Sequence, residues 1–158
     1  MANRGFTLVE ILVASTVVML LTGLGLASWN RFHDRSLLSS VTNQLATELR
    51  QVRQAALSGE KPASNCSVFD GYRIEVNTDS LRVQSCCDNC CRAGGSCPPS
   101  LPQRTIEIDS RVSLAATNFP LIFVSLKGTT DKTAQLELSF SGQSKTIEIT
   151  PSGEVKIN

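Results

Sequence analysis

The first proline of the chain is Pro62, the first cysteine is Cys66, and the only histidine is His33. Each scarcity removes a class of explanation. Without proline, nothing in the N-terminal third forces a helix to kink or stop. A single histidine beside Asp34 cannot form a histidine-based metal or catalytic cluster, and H-E-x-x-H, P-loop and G-x-G-x-x-G patterns are all missing. Nucleotide-binding and hydrolase chemistry therefore have no motif behind them. No charge sign dominates either: 15 Lys+Arg stand against 14 Asp+Glu. Near the C-terminus Lys132, Lys145 and Lys156 are offset by Asp131, Glu137, Glu148 and Glu154, which leaves no phosphate-tracking stripe. Nucleic acid is not an expected partner. At 158 residues the chain has room for one modest core.

What the sequence does have is a long uncharged run. Between Phe6 and Trp29 the only ionisable side chain is Glu10. As a helix that run measures about 36 Å, enough to cross a hydrocarbon layer of roughly 30 Å with some tilt. Trp29 closes it as an interfacial anchor. A carboxylate inside such a run costs several kcal/mol unless it finds a partner, so Glu10 is a functional candidate by default. Beyond Arg31, Leu38, Val41, Leu45, Leu49, Val52 and Ala56 recur at helical spacing, with polar residues such as Gln44 and Gln51 between them. This predicts one helix over residues 6–58, about 80 Å long. It is apolar all round in its first half and one-sided in its second. Gly59 and Pro62 end it.

After the helix the apolar period becomes two. Tyr72, Ile74 and Val76 alternate with charged residues, as do Leu81 and Val83, and Asn77-Thr78-Asp79-Ser80 between them is turn chemistry. Val76 opposite Leu81 sets the register of this hairpin, with Ile74 facing Val83 and Glu75 facing Arg82. Continued outward, it places Asp70 opposite Cys87 and Cys66 near Cys91. Further strands are expected at residues 105–109, at 121–126 (buried on both faces), and at 136–140. Ile147 and Ile149 should meet Val155 and Ile157 across Pro151-Ser152-Gly153. A long helix followed by a β-meander is an α+β fold, with the sheet covering the amphipathic half of the helix.

Cys66, Cys86, Cys87, Cys90, Cys91 and Cys97 all lie in the β-rich part. In an oxidising compartment they read as disulfides stapling a Gly- and Pro-rich loop, with the hairpin register favouring Cys66 with Cys90 or Cys91. The rival is a Cys₄ zinc site, since Cys87-x-x-Cys90 has ligand spacing. Asp70, Asp79, Asp88 and Asp131 match no EF-hand pattern and read as turn and surface residues.

The stretch Arg4-Gly5-Phe6-Thr7-Leu8-Val9-Glu10 resembles the processing site of type IV prepilins and type II secretion pseudopilins. The resemblance implies cleavage by a membrane-embedded prepilin peptidase between Gly5 and Phe6, with methylation of the new Phe6 amine. It also implies that Glu10 pairs with the Phe6 amine of a neighbouring subunit as helices assemble. Arg4 would keep the leader cytoplasmic. Many pilins carry a proline inside the membrane run; here only Gly23 and Gly25 soften it. The C-terminal elements Phe123-x(4)-Gly128 and Ile147-x-Ile149-x-Pro151-x-Gly153-x-Val155 are similar to the FimT/FimU/GspH group of minor pilins and pseudopilins. On this reading residues 1–5 are a leader, 6–29 a transmembrane and filament-core helix, 30–59 an amphipathic stalk, and 60–158 a globular domain. The expected function is that of a non-enzymatic minor pilin-like subunit of a type IV pilus or type II secretion pseudopilus. Its partners are then other pilins or pseudopilins and the inner-membrane assembly platform. It would be anchored once in the inner membrane by residues 6–29, with the C-terminal domain outside the cytoplasm. No cofactor or metal is expected. Two alternatives remain open: a DNA-uptake or adhesive minor pilin, and a signal-anchored envelope protein that never enters a filament. A cleavable secretory signal is disfavoured, because the run is too long and no A-x-A-like site follows.

Overall fold

The computed structural model describes residues 7–59, 66–91 and 103–158, with backbone alone for 24–28 and 30. Among the described residues one helix, α1 (Leu8–Ser58), is followed by eight strands. Contacts divide the chain into two compact units, Met1–Ser36 and Leu37–Asn158.

In the first unit α1 begins immediately after Thr7. The Thr7 hydroxyl accepts the Glu10 backbone N–H at 3.3 Å, and the Thr7 carbonyl accepts the Glu10 and Ile11 N–H groups. Thr7 is thus the N-cap and Glu10 stands at the third helical position, the spacing of a capping box. From Leu8 to Leu21 the large apolar side chains are uncovered, with Leu8 at 78% and Met19 at 74% exposure. Its hydroxyls are satisfied within the helix: Ser15 donates to the Leu12 carbonyl, Thr16 to Leu12 and Val13, and Thr22 to Val18.

In the second unit α1 buries Leu38, Thr42, Leu45, Ala46, Leu49, Val52 and Ala56. The apolar stripe read from the sequence is there, with Val41 only partly buried. Thr42 and Ala46 join it because neither interrupts a tight surface. The Thr42 hydroxyl donates 2.7 Å back to the Leu38 carbonyl and so presents only its methyl to the core.

The strands form two antiparallel four-stranded sheets rather than one meander. The first contains β1 (Phe69–Val76), β2 (Ser80–Cys87), β3 (Gln103–Glu107) and β5 (Leu121–Val124), in the order β3-β2-β1-β5. The second contains β4 (Ser113–Thr117), β6 (Ala134–Phe140), β7 (Gln143–Ile149) and β8 (Val155–Ile157), in the order β4-β6-β7-β8. Ile74, Leu81, Leu121 and Phe123 of the first sheet share a core with Leu136, Leu138, Ile147 and Ile149 of the second and with the α1 stripe. The class is α+β, with the helix packed on antiparallel sheet.

Register follows the alternation. Val76 pairs with Leu81, Ile74 with Val83 and Glu75 with Arg82, and Ile149 pairs with Val155 and Ile147 with Ile157. Two expectations need correction. Asp70 does not face Cys87; Phe69 does, because a β-bulge between Phe69 and Gly71 adds one residue to β1. Nor is the segment at 121–126 buried on both faces. β5 ends at Val124, only Leu121 and Phe123 are fully enclosed, and Leu126 is 73% exposed. Strand β4 was not anticipated, since Ser113-Leu-Ala-Ala-Thr117 has no apolar alternation to reveal it. Between β3 and β4, Arg111 donates from its guanidinium and its backbone to the Asp109 carboxylate. These bonds hold the Asp109 pKa at about 2.

Candidate functional site

Three places concentrate the residues singled out by sequence. The first is the N-terminal turn of α1. Gly5 and Phe6 lie outside the described residues, so the Phe6–Glu10 relation is not seen. Glu10 is exposed on the helix surface, beside Ile11, Ala14, Ser15, Val18 and Met19, which line a shallow apolar groove. Because Ser15, Thr16 and Thr22 spend their hydroxyls on the helix backbone, Glu10 is the polar group whose side chain lacks a partner among the described residues of this run. Thr7, as the cap, is the residue that sequence reasoning passed over; the T-x-x-E spacing was the available signal. Trp29 is 69% exposed and His33 is exposed. Among the described residues no helix is long and apolar enough to cross a membrane.

The second place is the end of the β1–β2 hairpin. Cys66 is bonded to Cys87 and Cys86 to Cys91, and Cys90 is disulfide-bonded as well. Cys97 lies outside the described residues. The pairing of Cys66 with Cys90 or Cys91 is overturned, because extending the hairpin register ignored two local events. The bulge in β1 shifts its N-terminal end by one residue, and Asp88 and Asn89 take positive φ (52° and 65°), so that β2 turns away after Cys87. Cys66, Phe69 and Cys87 form a small buried cluster of their own, with Tyr72 edge-on to Phe69 at 5.1 Å. The nearby acids serve backbone amides. Asp88 accepts from Val68 at 2.8 Å and from Ser67 at 3.4 Å, and Asp70 accepts from Asn89 at 2.6 Å. Asp131 accepts from Ile122, and Asp79 from the Ser80 hydroxyl. Among the described residues no three His, Cys, Asp or Glu side chains gather as a metal site.

Closing the Cys66–Cys87 loop, a sequence separation of 21, removes unfolded-state entropy worth about 3 kcal/mol in the chain-entropy estimate. The unreduced, denatured protein should therefore titrate with no free thiol at these five positions. Cys66→Ser should lower the denaturant midpoint by an amount equivalent to about 2–5 kcal/mol. Free thiols recovered in stoichiometric amount, or zinc released with them, would contradict this.

The third place is the C-terminal end of α1, where the two glycine-containing elements meet. Gly59, at φ 64°, ends the helix, and the Leu126 N–H reaches in to cap the Ala56 carbonyl at 2.8 Å. Arg53 donates from Nε to the Gly128 carbonyl and from Nη2 to the Ser152 carbonyl, both at 3.3 Å, and Arg50 donates to the Val155 carbonyl at 3.0 Å. The Thr130 N–H donates to the Pro151 carbonyl, and its buried hydroxyl lies 2.9 Å from the carbonyls of Lys132 and Thr150. Gly153 sits so close that a Cβ there would lie 1.8 Å from the Gly128 oxygen. Gly128 in turn packs against Leu57. The Phe123-x(4)-Gly128 and Pro151-x-Gly153 elements therefore work as one clasp between α1, the first sheet and the second.

Residues 1–26 match the prokaryotic N-terminal methylation motif, which is typical of type IV pilin-like proteins. The motif supports a type IV pilin-like precursor that prepilin peptidase processes and that assembles with other pilins. Neither the curated proteins nor the solved structures contain a match to the chain.

Proposed function

We propose that the chain is a minor pilin-like subunit of a type IV pilus or type II secretion pseudopilus, non-enzymatic and acting through assembly. The observation that carries this is a contrast along one helix. Over residues 8–21 of the matched motif the large apolar side chains are uncovered, and Glu10 has no partner among the described residues. From Leu38 onward the same helix buries a stripe under its own sheets. A helix segment apolar on every side needs lipid or other helices around it. On this reading residues 1–5 are the leader, removed after Gly5, and residues 6–29 lie in the inner membrane until assembly. The β-rich domain faces out, where an oxidising compartment suits the disulfides. Glu10 then neutralises the methylated Phe6 amine of a neighbour, which sets the axial register of the filament. The C-terminal clasp supports placement with the FimT/FimU/GspH group, because both elements of that resemblance meet there.

The test has two arms. Mass spectrometry of the mature protein should show an N-terminal methylated Phe6; an intact leader, or an unmethylated start elsewhere, would leave a plain signal anchor. Glu10→Ala should be inserted and cleaved normally yet be lost from sheared or purified filaments, because its removal lowers the insertion cost while abolishing the pairing. Wild-type incorporation of that variant would remove Glu10 from the mechanism.

A further inference from the structure

Among the described residues the two sheets have four edges, and three of them are blunted. At β5 the chain folds back on its own edge: the Val124 N–H donates to the Thr129 carbonyl, the Ile122 N–H to Asp131, and Phe123 bridges Thr130. The β8 strand is only three residues long, Arg50 occupies the Val155 carbonyl, and Lys156 and Glu154 flank it with charge. At β3 the edge carries Arg104 and Glu107, with Arg104 paired to Glu48 of α1. These are the ordinary defences against unwanted strand addition.

The fourth edge, β4, has none of them. Ser113-Leu114-Ala115-Ala116-Thr117 contains no charge and no proline, and among the described residues it pairs only with β6. Every residue of it except Leu114 is exposed. We infer that β4 is an interaction surface whose partner is β4 of a second copy of this chain, added antiparallel about a two-fold axis through Ala115.

The register follows from the side chains. Centring on Ala115 puts Ser113 opposite Thr117 of the second copy, hydroxyl beside hydroxyl, on the outer face. On the inner face it puts Leu114 opposite Ala116. Leu114 is half-buried at the margin of the core, whereas Ala116, next to Leu136 on that same face, is exposed, so the small residue leaves room for the large one. No like charges meet, in contrast to what most edge strands enforce. Such a contact is isologous: it closes at two copies and does not propagate. Two strands of five residues bury much less than the ~1,200 Å² of a stable complex. The pairing therefore operates between copies already concentrated, as in one membrane or on adjacent filaments.

Register-specific crosslinking of the full-length protein in its own cells tests the pairing. Ala115→Cys should give a disulfide-linked dimer on non-reducing gels, with the 115–115 peptide recovered by mass spectrometry. Ser113→Cys alone should not link, but co-expressed with Thr117→Cys it should. Gln135→Cys, one strand inward on the same face, should stay monomeric. Ala115→Lys should abolish the 113–117 link. Recovery of the native Cys66–Cys87 peptide from each digest certifies that the variants are folded. Absence of the 115–115 link, equal linking at every position, or linkage of Ala115→Cys to a different protein would each overturn the pairing. The contact uses only the crowding supplied by the proposed function. An Ala115→Cys variant that bears methylated Phe6 yet stays unlinked would refute the pairing and leave that function intact.

Discussion

Leu45→Asp should leave residues 37–158 unfolded, while Gln44→Asp, one position earlier, should change stability by no more than about 0.5 kcal/mol. Leu45 is 2% exposed and lies in the middle of the helix stripe that both sheets cover; Gln44 is exposed. Removing the leucine forfeits about 1.5–3 kcal/mol of burial, and the aspartate puts a charge into the apolar core cluster. Together these approach the whole stability of a small domain, about 5–15 kcal/mol. Circular dichroism and urea titration of the two variants decide it. Equal tolerance of both would mean that α1 does not pack on the sheets as described.

Gly153→Ala should be more damaging than Gly142→Ala, the matching substitution in the β6–β7 turn of the same sheet. Gly153 and Gly142 both have positive φ, 78° and 75°, so each alanine incurs a left-handed cost of about 1–2 kcal/mol. Beyond that they differ. A Cβ at Gly142 meets nothing within 4 Å, whereas one at Gly153 would be 1.8 Å from the Gly128 oxygen and 2.9 Å from Arg53 Nε. The backbone of the clasp must separate, and Arg53 loses its geometry towards the Gly128 and Ser152 carbonyls. We expect Gly142→Ala to cost about 1–2 kcal/mol and Gly153→Ala at least about 2 kcal/mol more, since a clash with backbone oxygen cannot be relieved by a rotamer change. Thermal melts of the two variants provide the comparison, and indistinguishable melting temperatures would show that the clasp is slack.

Much of this architecture was legible in the sequence, for reasons that differ by element. The α1 stripe and both hairpin registers were readable because a buried face imposes a period, and a slip of one residue would expose it. Thr42 escaped because a hydroxyl satisfied by its own helix does not look buried. Strand β4 escaped because an edge with little buried surface carries no alternation. The division into two sheets escaped because pairing of β5 with β1 depends on long-range contact. The disulfide partners were misjudged because a bulge and two positive-φ residues are invisible to alternation. At the candidate site, Glu10 stood out by its isolation, whereas Thr7 passed for one more small residue of an apolar run. The Gly128 and Gly153 elements were recognised as a pattern, but their meeting around Arg53 belongs to tertiary structure.

The adjacent cysteines at the end of β2 carry a consequence for the order of events during oxidative folding. Neighbours on a strand point to opposite faces, so Cys86 and Cys87 present their sulfurs on opposite sides of the hairpin. In an unformed chain the two thiols are chemically almost identical, and Cys66 has little basis for choosing between them. A bond from Cys66 to Cys86 would conflict with the one-residue bulge between Phe69 and Gly71. Hairpins form in about 1–10 μs, while thiol oxidation takes seconds or longer. Geometry therefore has ample time to select the sulfur before chemistry commits it. With the bulge in place, Phe69 faces Cys87, and it is Cys87 that bonds Cys66.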